Sequence, residues 1–160
     1  MFRFPQNCVP DVYLESIYSI NIEKLKEKKN IKGIILDLDN TIIPWDTKHL
    51  DEKVISWIEL LKKSGMKICL VSNTHYNITS IVNKLDIPYL YSRYKPWKWP
   101  FLKAMKIMNT SSKETAVVGD QIFTDVLGGN YLHLLTILVC PLSQSDSLGT
   151  ALITRTLERL

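Results

Sequence analysis

The chain has 160 residues, 46% apolar and 22% charged, which fits a single domain with its own core and excludes a mainly disordered protein, since Trp, Tyr, Phe, Ile, Leu and Val recur throughout. Lys and Arg number 20 against 16 Asp and Glu, a formal net charge of +4, and 6 Gly with 7 Pro exclude collagen-like and low-complexity classes. The densest basic stretch, Lys24 to Lys32, is interrupted by Glu27, so no arm for nucleic acid is expected.

In chain order, Met1 to Pro5 lacks the apolar run of a secretory signal. Val12 to Lys29 reads as two short amphipathic helices, with apolar positions at Tyr13, Leu14, Ile17, Ile20 and Leu25 and a polar break at Ser19–Asn21; residues 1–30 then form an N-terminal helical segment. Ile31 to Leu36 is a strand buried on both faces. Asp37 to Leu50 is a loop, and Asp51 to Lys63 a helix with Val54, Ile55, Ile58 and Leu61 on one stripe, Asp51 as its cap and Gly65 as its end. Strands follow at Met66–Val71, Pro88–Tyr91, Thr115–Val118 and Leu134–Val139. Helices are expected at Thr74–Leu85, where His75 reads as a capping-region residue, at Pro100–Met108, near Gln121–Asn130 and at Ala151–Leu160. The alternation predicts an α/β fold, a Rossmann-like three-layer sandwich around a parallel sheet of about five strands. Residues 31–140 form its core and 141–160 a closing loop and helix, all in one domain.

Cys8, Cys69 and Cys140 match no metal spacing and form no even set, which suits reduced thiols and a cytoplasmic setting. The most apolar stretch, Leu134 to Cys140, is too short to cross a bilayer, so membrane contact is at most peripheral.

Polar clusters stand directly after the strands, where parallel sheets place their sites. Asp37 and Asp39 lie two apart in an extended stretch and so point the same way. An Asp-rich turn is the plain alternative, but the apolar strand before them makes like charges costly unless something neutralises them. A second apolar strand runs into Gly119 and Asp120, with Asp125 one turn into the next helix, where an acid also offsets the helix dipole. Four acids at one sheet edge repel, and a divalent cation resolves the conflict; all-oxygen donors with several waters favour Mg²⁺. Ser72 and Asn73 bring a hydroxyl, an amide and backbone N–H groups to a helix start, which suits a phosphate oxygen; an N-cap is Ser72's plain role. Lys95 is a candidate fixed charge beside the acids, or an ordinary surface lysine.

Together these residues resemble the haloacid dehalogenase superfamily of phosphotransferases, whose four motifs look like Asp37-x-Asp39-x-Thr41, Ser72, Lys95 and Gly119-Asp120-x4-Asp125. Leu36 to Asp46, Val71 to Asn73 and Gly119 to Asn130, with Pro10-Asp11 and Thr154-Arg155, are similar to the capless subfamily IIIA members of YqeG type and their phosphatidylglycerophosphate phosphatase relatives. The resemblance implies Asp37 as nucleophile and Asp39 as acid and base. It implies Thr41, Ser72, Asn73 and Lys95 on the substrate. Mg²⁺ would lie on Asp37, the Asp39 carbonyl and Asp120, with Asp125 behind them. Gln121 stands where some members place another acid. The connections after Thr41 and after Asn73 are too short for a cap domain, so the site should be open to a large phosphorylated substrate.

The resemblance favours a phospholipid headgroup, phosphatidylglycerophosphate. Two stretches suit an anionic membrane surface: Lys95-Pro96-Trp97-Lys98-Trp99-Pro100-Phe101, and the N-terminal lysines Lys24, Lys26, Lys28, Lys29 and Lys32. Packing by Trp99 and Phe101 and a solvated lysine face are their plain readings; Trp45 and Trp57 read as core or loop packing. A phosphatase for a protein, nucleotide or sugar phosphate, and a non-catalytic binding module on the same scaffold, stay open beside this reading. A phosphoacceptor receiver domain is disfavoured, because no acid follows the third strand. No residue pattern specifies an oligomer.

Overall fold

The computed structural model describes residues 6–74 and 76–143. The expected terminal helix over 151–160, Thr154-Arg155 and His75 lie outside the described residues. Six parallel strands form one sheet in the order β1-β6-β5-β2-β3-β4. They are β1 (Val12–Leu14), β2 (Gly33–Leu36), β3 (Lys67–Ser72), β4 (Tyr89–Tyr91), β5 (Thr115–Gly119) and β6 (Leu135–Val139). The helices are α1 (Ile22–Lys29), α2 (Glu52–Lys63), α3 (Thr79–Leu85), α4 (Lys98–Met108) and α5 (Leu127–Tyr131), with a π-helical turn over Ile122–Val126 leading into α5. The expected α/β sandwich is therefore what the chain forms, with one strand more than the sequence indicates.

That extra strand corrects the reading of Val12–Leu14 as helix. Val12 and Leu14 are half-buried and Tyr13 is exposed, a period of two rather than 3.6. Three residues are too few to reveal a period, and tertiary partners decide the outcome. The Asp11 N–H donates to Thr136 Oγ1 at 3.0 Å, the Thr136 N–H donates to Asp11 Oδ2 at 2.8 Å, and the Cys140 N–H reaches the Leu14 carbonyl at 3.2 Å. Distant residues thus zip this segment onto β6.

Successive residues of the buried strands face opposite layers. Ile34, Leu36, Ile68, Leu70, Ala116 and Val118 pack with Trp57, Ile58 and Leu61 of α2 and Ile81 and Leu85 of α3. Ile35, Cys69, Val71 and Val117 pack with Phe101, Ala104, Met105 and Met108 of α4. Phe101 is fully buried, and a Cβ added at Gly128 of α5 would stand 2.4 Å from its ring. Glycine there lets α5 approach α4. Asp51 caps α2 by accepting from the Lys53 N–H at 2.9 Å, as expected. No helix among the described residues is long and apolar enough to cross a membrane.

The topology positions the site. From β2 the chain moves to β3 and β4 on one side, then returns to β5 and β6 on the other. The crevice at such a reversal, beyond the carboxyl ends of β2 and β5, is where open α/β sheets hold ligands. The β2–β3 connection holds a loop and α2, and the β3–β4 connection a short segment and α3, so neither connection carries a domain over that crevice.

Candidate active site

Asp37 leaves the end of β2 with its N–H on the Val118 carbonyl of β5 at 3.0 Å, which pins it beside Asp120. Lys95 arrives from the loop after β4, its side chain only 4% exposed. Its ammonium donates to Asp37 Oδ1 at 2.6 Å and to Asp125 Oδ1 at 2.7 Å. Thr41 Oγ1 lies 3.1 Å from Asp37 Oδ2 and 3.4 Å from Asp120 Oδ1; its single proton serves one of them at a time. Carboxylate oxygens of Asp37, Asp120 and Asp125, all three residues buried, lie within 4.8 Å of one another.

Three buried acids face one lysine, so the cluster carries more negative than positive charge in a place poorly screened by water. The protonation equilibria register this. Burial pushes the Asp37 carboxyl up to about 6, the Asp125 charge adds to the rise, and Lys95 and Thr41 oppose it. Burial, then the Asp37 and Asp125 charges, push Asp120 up to about 8. Burial works against the Lys95 ammonium, but Asp125 and Asp37 outweigh it and hold its pKa above the usual lysine value. A cluster that holds protons this tightly gains from a divalent cation, and its hard oxygen donors fit one. Gly119 is part of the arrangement, since a Cβ there would fall 2.2 Å from Asp125 Oδ2.

Asp39 stands apart from that cluster, on the wall of a cleft of about 550 Å³ shared with Asn40, Trp45, Lys48, Asn73, Thr74, Tyr76 and Gln121. The Tyr76 hydroxyl donates to Asp39 Oδ1 at 2.8 Å, and Thr74 Oγ1 donates to Asp39 Oδ2. Ser72 is buried at the end of β3, its Oγ accepting from the Thr74 N–H at 3.1 Å. Asn40 adopts a positive φ of 59° and its Oδ1 accepts from the Trp45 N–H at 3.0 Å, which folds the loop after Asp39 back on itself.

All eight residues expected at the site lie at this end of the sheet. Asp37, Thr41, Lys95, Asp120 and Asp125 form one cluster; Asp39 and Asn73 line the cleft beside it, with Ser72 beneath Thr74. The Thr41 hydroxyl, expected on the substrate, is turned here to the Asp37 and Asp120 carboxylates. The sequence does not single out Thr74, Tyr76 and Lys48 as residues of the cleft, and Trp45 reads there only as a packing residue. A helix expected from Thr74 hid the first two; α3 begins only at Thr79, and the preceding turn directs both hydroxyls to Asp39. Of the two tryptophans expected in the core or in loop packing, Trp57 is buried in the core and Trp45 is half-exposed in the loop, on the cleft wall.

The model for haloacid dehalogenase-like hydrolases matches residues 45–133, and that for mitochondrial phosphatidylglycerophosphate (PGP) phosphatase matches residues 1–83. The chain is 41% identical to the probable phosphatase YqeG of Bacillus subtilis over 143 residues, 89% of this chain and 83% of that protein. It is 31% identical to the mitochondrial phosphatidylglycerophosphatase of Saccharomyces cerevisiae, over 80% of this chain and 75% of that one. Among solved structures, the fold is similar to 3-deoxy-D-manno-octulosonate 8-phosphate phosphatase from Moraxella catarrhalis, determined with a magnesium ion, a phosphate ion and a sugar molecule. The TM-score is 0.50 at 16% identity, covering 62% of this chain and 63% of that one.

Proposed function

This chain belongs to the haloacid dehalogenase-like hydrolases and is a phosphatase of the YqeG and phosphatidylglycerophosphate phosphatase type, and from that premise we propose that it hydrolyses phosphatidylglycerophosphate through an aspartyl-phosphate on Asp37, with Mg²⁺ as its metal. The observation that carries the reading is the division of labour between two acids. Asp37 is locked by Lys95 and Thr41 at the switch point, and Asp39 is aimed by Thr74 and Tyr76 into an open cleft.

In the first step an Asp37 carboxylate oxygen bonds to phosphorus while the bond from phosphorus to the alcohol oxygen breaks. Asp39 gives its proton to that leaving oxygen. In the second step Asp39 takes a proton from water, the water oxygen bonds to phosphorus, and the bond to Asp37 breaks, releasing inorganic phosphate. Lys95 offsets negative charge on the nucleophile and the transferring group, and Ser72 and Asn73 hold phosphate oxygens. The Asp37 and Asp120 carboxylates and the Asp39 main-chain carbonyl would hold Mg²⁺, with Asp125 behind them fixing Lys95. The ion supplies positive charge beside the phosphoryl oxygens when bound.

A bilayer-borne headgroup needs an approach surface. Residues 87–113 contain no acid, and Trp97 and Trp99 are 71% and 52% exposed. Trp99 meets Tyr94 edge-on at 6.3 Å between ring centroids, and the Lys103 ammonium lies 5.1 Å from its ring. Aromatic rings interleaved with cations suit a membrane interface, and Trp97 stands two residues from Lys95. Of the N-terminal lysines, Lys32 does not share that face. Lys32 enters the amino end of β2 and pairs with Glu114, at the opposite end of the sheet.

The test is phosphate release from phosphatidylglycerophosphate in vesicles and from soluble phosphomonoesters, with Mg²⁺ and with chelator. Activity on the lipid that requires the metal and vanishes in Asp37→Asn is expected; full activity in that variant overturns the mechanism. Trp97→Ala with Trp99→Ala should lower turnover on vesicles more than on p-nitrophenyl phosphate. Equal loss on both substrates argues for packing instead.

A further inference from the structure

At about 550 Å³ the cleft beside Asp39 is the size of a small-molecule site and exceeds what a phosphoryl group needs. Among the described residues its lining holds one acid, Asp39, and one cation, Lys48. The Lys48 ammonium lies 4.3 Å from the centroid of the Tyr76 ring and 5.9 Å from that of Trp45. Among the described residues it makes no ion pair. An ammonium held over aromatic faces is positioned by them yet keeps its N–H donors for a ligand. The backbone of Lys48 takes a positive φ of 52°, and its N–H closes a turn on the Pro44 carbonyl at 2.9 Å.

Tyr76 links this cation to the chemistry. Its hydroxyl donates to Asp39 at 2.8 Å while its ring lies under Lys48, so one tyrosine side chain spans from the acid–base carboxylate to the ammonium. The Lys48 ammonium thus stands one side chain away from the carboxylate that would protonate a leaving alcohol. The amides of Asn73 and Gln121 complete a polar lining that adds no further negative charge.

We propose that Lys48 is a specificity residue of this site, receiving a second anionic group, a phosphodiester, that the leaving alcohol carries a short spacer away from the reacting phosphomonoester. The inference rests on the phosphatase reading above and deepens it. It explains a cation poised over aromatic rings where hydrolysis of a simple ester needs none. The shared chemistry is that of a phosphodiester, whether borne by a lipid or by a soluble headgroup.

The experiment compares the unmodified protein with Lys48→Met and Lys48→Arg on p-nitrophenyl phosphate, on soluble glycerophosphoglycerophosphate and on phosphatidylglycerophosphate in vesicles. Glycerophosphoglycerol, which has the diester and no monoester, serves as inhibitor of the chromogenic reaction. Charged hydrogen bonds at a part-exposed site predict that Lys48→Met lowers the ratio of kcat/KM on both diester-bearing substrates to that on p-nitrophenyl phosphate by roughly tenfold. The change should lie in KM, Lys48→Arg should recover most of it, and inhibition by glycerophosphoglycerol should weaken in parallel. An unchanged ratio, Lys48→Arg behaving like Lys48→Met, or an unmodified protein insensitive to glycerophosphoglycerol overturns the proposal. Loss confined to vesicles overturns it as well, since Lys48 would then answer to bilayer charge. If the unmodified protein is inhibited through Lys48 yet hydrolyses neither diester-bearing substrate, the proposed substrate falls while the role of Lys48 stands.

Discussion

The two ends of the sheet treat charge in opposite ways. At the amino end, Glu114 has Lys32 and the Ser111 hydroxyl and N–H as partners, and these hold its carboxyl down to about 2. At the carboxyl end, Asp37 and Asp120 are pushed up to about 6 and about 8, because burial and neighbouring acids outweigh the one lysine they share. Acids paired one to one with cations support the fold. A buried excess of them is a cost to folding that stability alone would not retain, and such sites are where chemistry is done.

The sharpest way to break this contrast is to neutralise an acid that has no structural debt. Asp39 is hydrogen-bonded by Thr74 and Tyr76 and lies outside the three-acid cluster. Asp39→Asn should lower kcat by about 10²–10⁴-fold, the usual contribution of a general acid–base, while the melting temperature barely moves. Stopped-flow or steady-state phosphate release measures it, and a loss of under a few-fold would remove Asp39 from the mechanism.

A smaller effect separates function from stability within the cluster. Asp120 has a folded-state pKa of about 8 against about 4 in the unfolded chain, so between those values the folded state holds the extra proton. Its contribution to stability is therefore full below about pH 4 and is lost as pH rises through about 8. Thermal melts with chelator should show stability falling over that window. Asp120→Asn should flatten the fall and raise the melting temperature at pH 8, even as it lowers phosphate release. Added Mg²⁺ should stabilise the unmodified protein most at the alkaline end. A melt independent of pH would show that the acids are not crowded.

The smallest effect belongs to the amino end. Glu114→Gln should leave phosphate release unchanged and shift melting slightly. Because the carboxyl is held low, any stabilisation it gives is present above about pH 4 and lost as pH falls through about 2. A large activity loss would tie the two ends together.

Much of this was legible in the sequence for a physical reason. Buried parallel strands are short apolar runs that end abruptly, and the acids, Ser72 and Lys95 stand directly at those ends, so order and spacing located the site. What stayed hidden depended on distant partners. Val12–Leu14 becomes a strand through Asp11 and Thr136, 125 positions apart. Thr74 and Tyr76 became visible only when α3 proved to start at Thr79, leaving a turn that aims both at Asp39. Trp45 and Lys48 lie in a loop shaped by Asn40 at positive φ, which no apolar periodicity encodes.

Gly128 is buried on α5, and a methyl group placed there would press on the Phe101 ring and approach the Pro96 carbonyl to 3.2 Å. Pro96 is bonded directly to Lys95. Crowding between two helices thereby reaches the main chain next to the ammonium that pairs with Asp37, so a larger residue at this inconspicuous position would strain the packing of α4 on α5 and the seating of Lys95 together.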